Sequence, residues 1–141
     1  DWYGLNYAIV YFYNVYGSKE INEGSYSTLI AKYAKLCSDG AMSLPVVKPG
    51  TQERNFTHIA DIVSALDLVA EKGIGDDFGI GAEESYSVLD VVAMFGKAVE
   101  WLPERQGNRL TAELKAGKTR ALGWHPVGSL KKYIQEKIRL H

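Results

Sequence analysis

Apolar and polar positions along the chain switch repeatedly between two periods. Residues 7–13, Tyr-Ala-Ile-Val-Tyr-Phe-Tyr, are an unbroken apolar and aromatic run. Its length and its β-branched and aromatic content predict a strand buried on both faces, as in the middle of an α/β sheet. Gly17 and Ser18 break the run. Over 25–37 the pattern changes. Tyr26, Leu29, Ile30, Tyr33, Leu36 and Cys37 recur at three- and four-residue steps, which predicts a helix with Ser25 as N-cap and Gly40 as stop. Residues 44–47 and 56–59 predict short extended pieces, separated by the Pro49-Gly50 turn signal.

Helical spacing returns over 61–71 through Ile62, Val63, Leu66, Val69 and Ala70, closed by Gly73. Residues 78–81 predict a strand running into a tight loop. Ser87 and Asp90 have the spacing of a capping box ahead of an apolar helix that ends at Gly96. Residues 98–102 predict a strand and 118–122 a short helix stopped by Gly123. A last helix is capped by Ser129, with Leu130, Tyr133, Ile134 and Ile138 facing inward. Strands alternating with helices give an α/β class, with no internal repeat and no linker long enough to divide the chain into separate domains.

Composition narrows the function. At 141 residues a single domain is expected. The 16 basic and 17 acidic side chains leave a net charge of −1, without the basic excess of a nucleic-acid binder. Cys37 is the only cysteine, so no internal disulfide and no cysteine-cluster zinc site can form. No apolar run approaches the ~20 residues that span a bilayer. A cytoplasmic protein with no membrane partner is the expectation. The first residues, Asp1-Trp2-Tyr3-Gly4, show neither a basic leader nor an initiator Met, and a start part-way through a longer protein is expected.

Catalytic signals are sparse. His58, His125 and His141 lie far apart, and no glycine fingerprint or phosphate-binding glycine loop is present. Tyr133 and Lys137 have a Tyr-x-x-x-Lys spacing, in which a lysine can lower a tyrosine pKa for proton transfer. Tyr133 lies on the apolar face of its helix, so a core tyrosine with a snorkelling lysine is the expectation. Arg54 and Arg105 sit in polar loops, and guanidinium forks suit phosphate oxygens.

Five segments in order carry a resemblance. They are Tyr13-Asn14-Val15-Tyr16-Gly17; Gly50-Thr51-Gln52 with 54–61; Gly79-Ile80-Gly81; Glu84-Ser85-Tyr86-Ser87; and Leu122-Gly123-Trp124-His125-Pro126. Together they resemble the extended short-chain dehydrogenase/reductase family, the NAD-dependent epimerases and dehydratases of nucleotide sugars, in the manner of UDP-glucose 4-epimerases. The resemblance implies the C-terminal part of an extended Rossmann-type epimerase. Residues 1–20 would be a late Rossmann strand and loop, and 21–141 a small mixed α/β substrate-binding lobe with return elements. The NAD(P)-binding part and the catalytic Tyr/Lys pair would lie upstream, so this chain alone would hold no cofactor and would not be catalytic.

The implied substrate is a nucleotide-diphosphate sugar. Asn14 would hydrogen-bond its sugar–diphosphate portion, and Tyr13 would lie near the nicotinamide and sugar. Arg54 would contact the diphosphate and Arg105 the nucleotide. Tyr11, Asn55, Gln106 and Asn108 depart from the family pattern, leaving nucleotide and sugar open. Asp61 is read as a helix N-terminal carboxylate favoured by the dipole, and Trp124 as core. Cut from its sheet, residues 7–13 would seek a partner, by self-association or by pairing with an N-terminal half. A self-standing, non-catalytic binding module derived from the family is the alternative.

Overall fold

A computed structural model describes residues 3–104 and 113–140. Its elements in chain order are β1 (Ala8–Phe12), β2 (Val15–Tyr16), α1 (Leu29–Ser38), β3 (Ser43–Val47), β4 (Glu53–Asn55), β5 (Thr57–His58), α2 (Ile59–Lys72), β6 (Gly75–Ile80), β7 (Ser85–Ser87), α3 (Val88–Met94), β8 (Ala98–Leu102), α4 (Gly117–Ala121) and α5 (Leu130–Arg139). The alternation read from the sequence is an α/β fold. Strands β1 and β6, β2 and β5, and β3 and β8 pair in parallel, while β4 and β7 run antiparallel. Among the described residues no helix is long and apolar enough to cross a membrane.

Two buried clusters hold the chain together. The larger gathers Tyr16, Ile30, Tyr33, Leu44, Val46, Phe56, Val91, Val92, Leu130 and Ile134, drawn largely from α1, β3, α3 and α5. The smaller packs Ile62, Ala65 and Ile80 against Trp124, the core tryptophan expected from the sequence. Asp61 does more than complement the α2 dipole. It is 3% exposed. Its two carboxylate oxygens accept from Val127 N and Gly128 N, both at 2.9 Å. Its carbonyl oxygen accepts from Trp124 Nε1 at 3.1 Å. The segment 124–128 is thereby fastened to the start of α2.

Several expectations change. The first helix starts at Leu29, with Thr28 rather than Ser25 in the N-cap position. Gly24, at φ +79, carries the chain through a turn in which Ser27 N donates to Gly24 O and Thr28 N to Ile21 O, so helical pairing begins only afterwards. Residues 53–55, expected in a polar loop, form β4, since pairing with β7 satisfies their backbone groups. Strand β1 is not buried on both faces. Tyr11 and Phe12 are 47% and 51% exposed. Among the described residues β1 pairs only with β6, leaving its other edge uncovered.

Candidate functional site

The turn after β1 brings two sequence-distant polar groups together. Asn14 adopts φ +36, a left-handed conformation that asparagine tolerates better than most residues. Its Nδ2 donates to Asn55 O at 3.2 Å, and its carbonyl oxygen accepts from Thr57 N at 3.2 Å. The Asn14 turn is thus fixed to the β4–β5 segment. Arg54, paired with Tyr86 across β4 and β7, is half-buried, and its Nη1 donates to Glu53 O at 2.7 Å.

Asn14 and Arg54 line one cavity of about 320 Å³, together with Glu20, Thr28, Gln52 and Phe56. The start of α1 forms another part of its wall through Thr28, Leu29 and Ile30. The Thr28 side chain makes no cap to the helix, and the first turn carries no acidic residue. Among the described residues, the first amides of α1 are therefore left without a side-chain cap, at the positive end of the dipole. A guanidinium, an amide side chain and a helix N-terminus around one cavity can receive an anion.

Gln52 sits deep in the same wall, 5% exposed. Its Nε2 donates to Val47 O at 3.2 Å. Its Oε1 is buried with no donor among the described residues. Nothing in the sequence pattern gives Gln52 a role, and the α1 N-terminus carries no residue signature. Only the fold places both at the cavity.

Tyr13 turns elsewhere. Its hydroxyl donates to Glu113 O at 3.3 Å and accepts from Lys115 N at 3.2 Å, and it does not line this cavity. Arg105, like the departures Gln106 and Asn108, lies outside the described residues. The departure at Asn55 has a visible cause. Its Nδ2 donates to Ala82 O at 2.9 Å and to Glu83 O at 3.1 Å. A carboxylate could donate to neither. Tyr11, the other departure, donates to Asp76 Oδ1 at 2.8 Å.

The Tyr133–Lys137 pair behaves as its place on an apolar helix face predicts. The Tyr133 ring lies 5.1 Å from that of Tyr16 and 5.9 Å from that of His58. Lys137 Nζ sits 5.5 Å from the centre of the Tyr133 ring, over its face. Burial, with the Glu20 charge adding to it, pushes the Tyr133 phenol up to about 12, opposite to what a proton-transfer tyrosine needs.

The Gly79-Ile80-Gly81 segment is not a dinucleotide cradle. A Cβ at Gly79 would meet Lys115 O at 2.0 Å, and one at Gly81 would meet Leu114 Cδ1 at 2.5 Å. These glycines admit the 114–115 segment, and a loop rather than a helix N-terminus follows them. The two glycines thus serve close packing against that segment.

Comparison with known proteins gives the family. The model of the NAD dependent epimerase/dehydratase family matches residues 1–81. The chain belongs to that family. Among its relatives, the low-salt glycan biosynthesis protein Agl12 of Haloferax volcanii is 31% identical over 109 residues, which cover 72% of this chain and 35% of the relative. A putative UDP-glucose 4-epimerase of Methanocaldococcus jannaschii is 27% identical, covering 96% of this chain and 46% of its own length. The crystal structure of the UDP-glucose 4-epimerase of Thermotoga maritima with UDP-glucose superposes with a TM-score of 0.87 at 25% identity, over 97% of this chain and 46% of that one. The dTDP-glucose 4,6-dehydratase DesIV of Streptomyces venezuelae, with NAD and TYD bound, gives 0.78 at 26% identity, over 97% and 44%. The chain thus spans less than half the length of these relatives.

Proposed function

We propose that this chain supplies the nucleotide-sugar side of an NAD-dependent epimerase or dehydratase site, holding the substrate's diphosphate in the cavity lined by Asn14 and Arg54. The observation that carries the reading is the meeting of Asn14, Arg54 and the uncapped start of α1 around one space. Each group favours an oxyanion, and a diphosphate offers oxygens enough for all three. The relatives add the substrate class, since UDP-glucose is bound in the Thermotoga maritima epimerase. Tyr13 and Arg105 join the reading on family resemblance. NAD and the residues that move hydride and proton would come from sequence outside these 141 residues, so the chain alone would not turn over a nucleotide sugar. The exposed edge of β1 would take a strand of that missing portion or of a second copy.

The test is a titration of the chain with UDP- and GDP-sugars, repeated with Arg54→Ala. Removing a charge-assisted contact to phosphate should weaken binding by about 1.5–3 kcal/mol, roughly ten- to a hundredfold. Binding that is unchanged by the substitution would sink the diphosphate assignment.

A further inference from the structure

The start of α1 is put together in an unusual way. Thr28 holds the N-cap position at φ −77 and ψ 155, where a threonine hydroxyl ordinarily accepts from the second or third helical N–H. Here it makes no such bond. The hydroxyl donates instead to Glu20 Oε2. The other Glu20 oxygen accepts from Gly17 N at 3.0 Å, which fixes the carboxylate to the loop. Glu20 also lines the cavity. A carboxylate beside a site for anions is unfavourable on charge alone. Its presence asks for a compensating role.

Gln52 gives an independent sign that the cavity receives a ligand. It is 5% exposed, lines the same wall, and leaves Oε1 buried without a donor among the described residues. A buried acceptor left in this way calls for a donor, and a ligand in the cavity can supply one.

We infer that Glu20 is a positioning residue: by drawing the Thr28 hydroxyl to itself it keeps the cap off α1, so the first-turn amides stay available to the phosphate oxygens of a nucleoside diphosphate. The inference rests on the diphosphate reading of the cavity. Gln52 Oε1 then accepts from a hydroxyl or an imide N–H of the same ligand. When Glu20 is absent, Thr28 is free to cap the helix and compete with the ligand for the same N–H groups.

The experiment is a calorimetric titration with UDP-glucose of the wild-type chain, Glu20→Ala, Glu20→Gln and the double variant Glu20→Ala/Thr28→Val. Glu20→Ala should bind about fivefold more weakly, the equilibrium equivalent of one side-chain cap. Simple removal of a negative charge predicts tighter binding instead. The double variant should regain most of the loss, because valine cannot cap. Glu20→Gln should fall between wild type and Glu20→Ala, since its amide keeps one acceptor oxygen where the carboxylate offers two, to Gly17 N and to the Thr28 hydroxyl. Without ligand, the Ile30 and Ala31 amides should exchange with solvent more slowly in Glu20→Ala than in wild type. Equal or tighter binding by Glu20→Ala, no recovery in the double variant, or unchanged amide exchange would overturn the inference. Wild-type binding that Arg54→Ala abolishes but Glu20→Ala leaves intact would overturn it alone. No wild-type binding would overturn it together with the diphosphate reading.

Discussion

At the scale of single residues, Asn14 and Asn55 join the cavity to the strand beneath it. Asn14 at φ +36 is tolerated because the left-handed region costs asparagine less than most side chains. Asn14→Gly keeps that backbone and removes only the side chain, so we expect it to unfold within about 1 kcal/mol of wild type while losing UDP-glucose binding. Asn14→Ala should lose binding and about 1 kcal/mol more stability, because alanine is strained there. Urea unfolding beside a ligand titration separates the two. At Asn55 the amide donates to two carbonyl oxygens. Asn55→Asp turns both contacts repulsive, and a loss of about 2 kcal/mol at neutral pH is expected, read from the denaturation midpoint. The asparagine that departs from the family pattern was visible in the sequence, but its two partners lie 27 and 28 residues away and were not.

At the scale of elements, local signals were legible and pairing was not. The Ser87 and Asp90 spacing forms a complete capping box on α3. Asp90 N donates to Ser87 Oγ at 3.0 Å, and Ser87 N donates to Asp90 Oδ2 at 2.8 Å. Ser87→Ala should cost about 1 kcal/mol, read from the urea midpoint. Hydrogen bonds from the Ser87 hydroxyl and backbone N–H hold the Asp90 carboxyl below its ordinary value. A depressed carboxyl stabilises the fold above its unfolded value, near 4, and that contribution is lost as pH falls through the lower folded value. Asp90→Asn should therefore flatten the decline of stability with acid below about pH 4, measured as unfolding midpoints across pH. The decline should not vanish, because Asp76 is also held low, by the Asp77 backbone N–H and the Tyr11 hydroxyl. The shift of the first helix start to Leu29 has an element-level cause as well. The Tyr26 ring fits the helical spacing but is 87% exposed, and the Gly24 turn decides where the helix begins.

For the whole molecule, the exposed edge of β1 carries the strongest prediction. Tyr7, Ile9, Tyr11 and Phe12 are all exposed on or beside a strand that pairs on one side only among the described residues. Such an edge pairs readily with another strand. The chain by itself should show a mass that rises with concentration in light scattering, and Ile9→Lys should reduce the rise. A concentration-independent monomer would count against it. The sequence by itself determined the α/β class, the places of most helices and strands, the α3 and α5 caps and the family. These depend on short-range periodicity, on capping chemistry and on segment order, all of which are written along the chain. Only the tertiary structure decided that Arg54 sits on a strand, that Tyr13 turns away from Asn14, and that Gln52, Glu20 and the start of α1 share the cavity. Those facts depend on which distant segments meet, and that is set by strand pairing and core packing rather than by any local pattern.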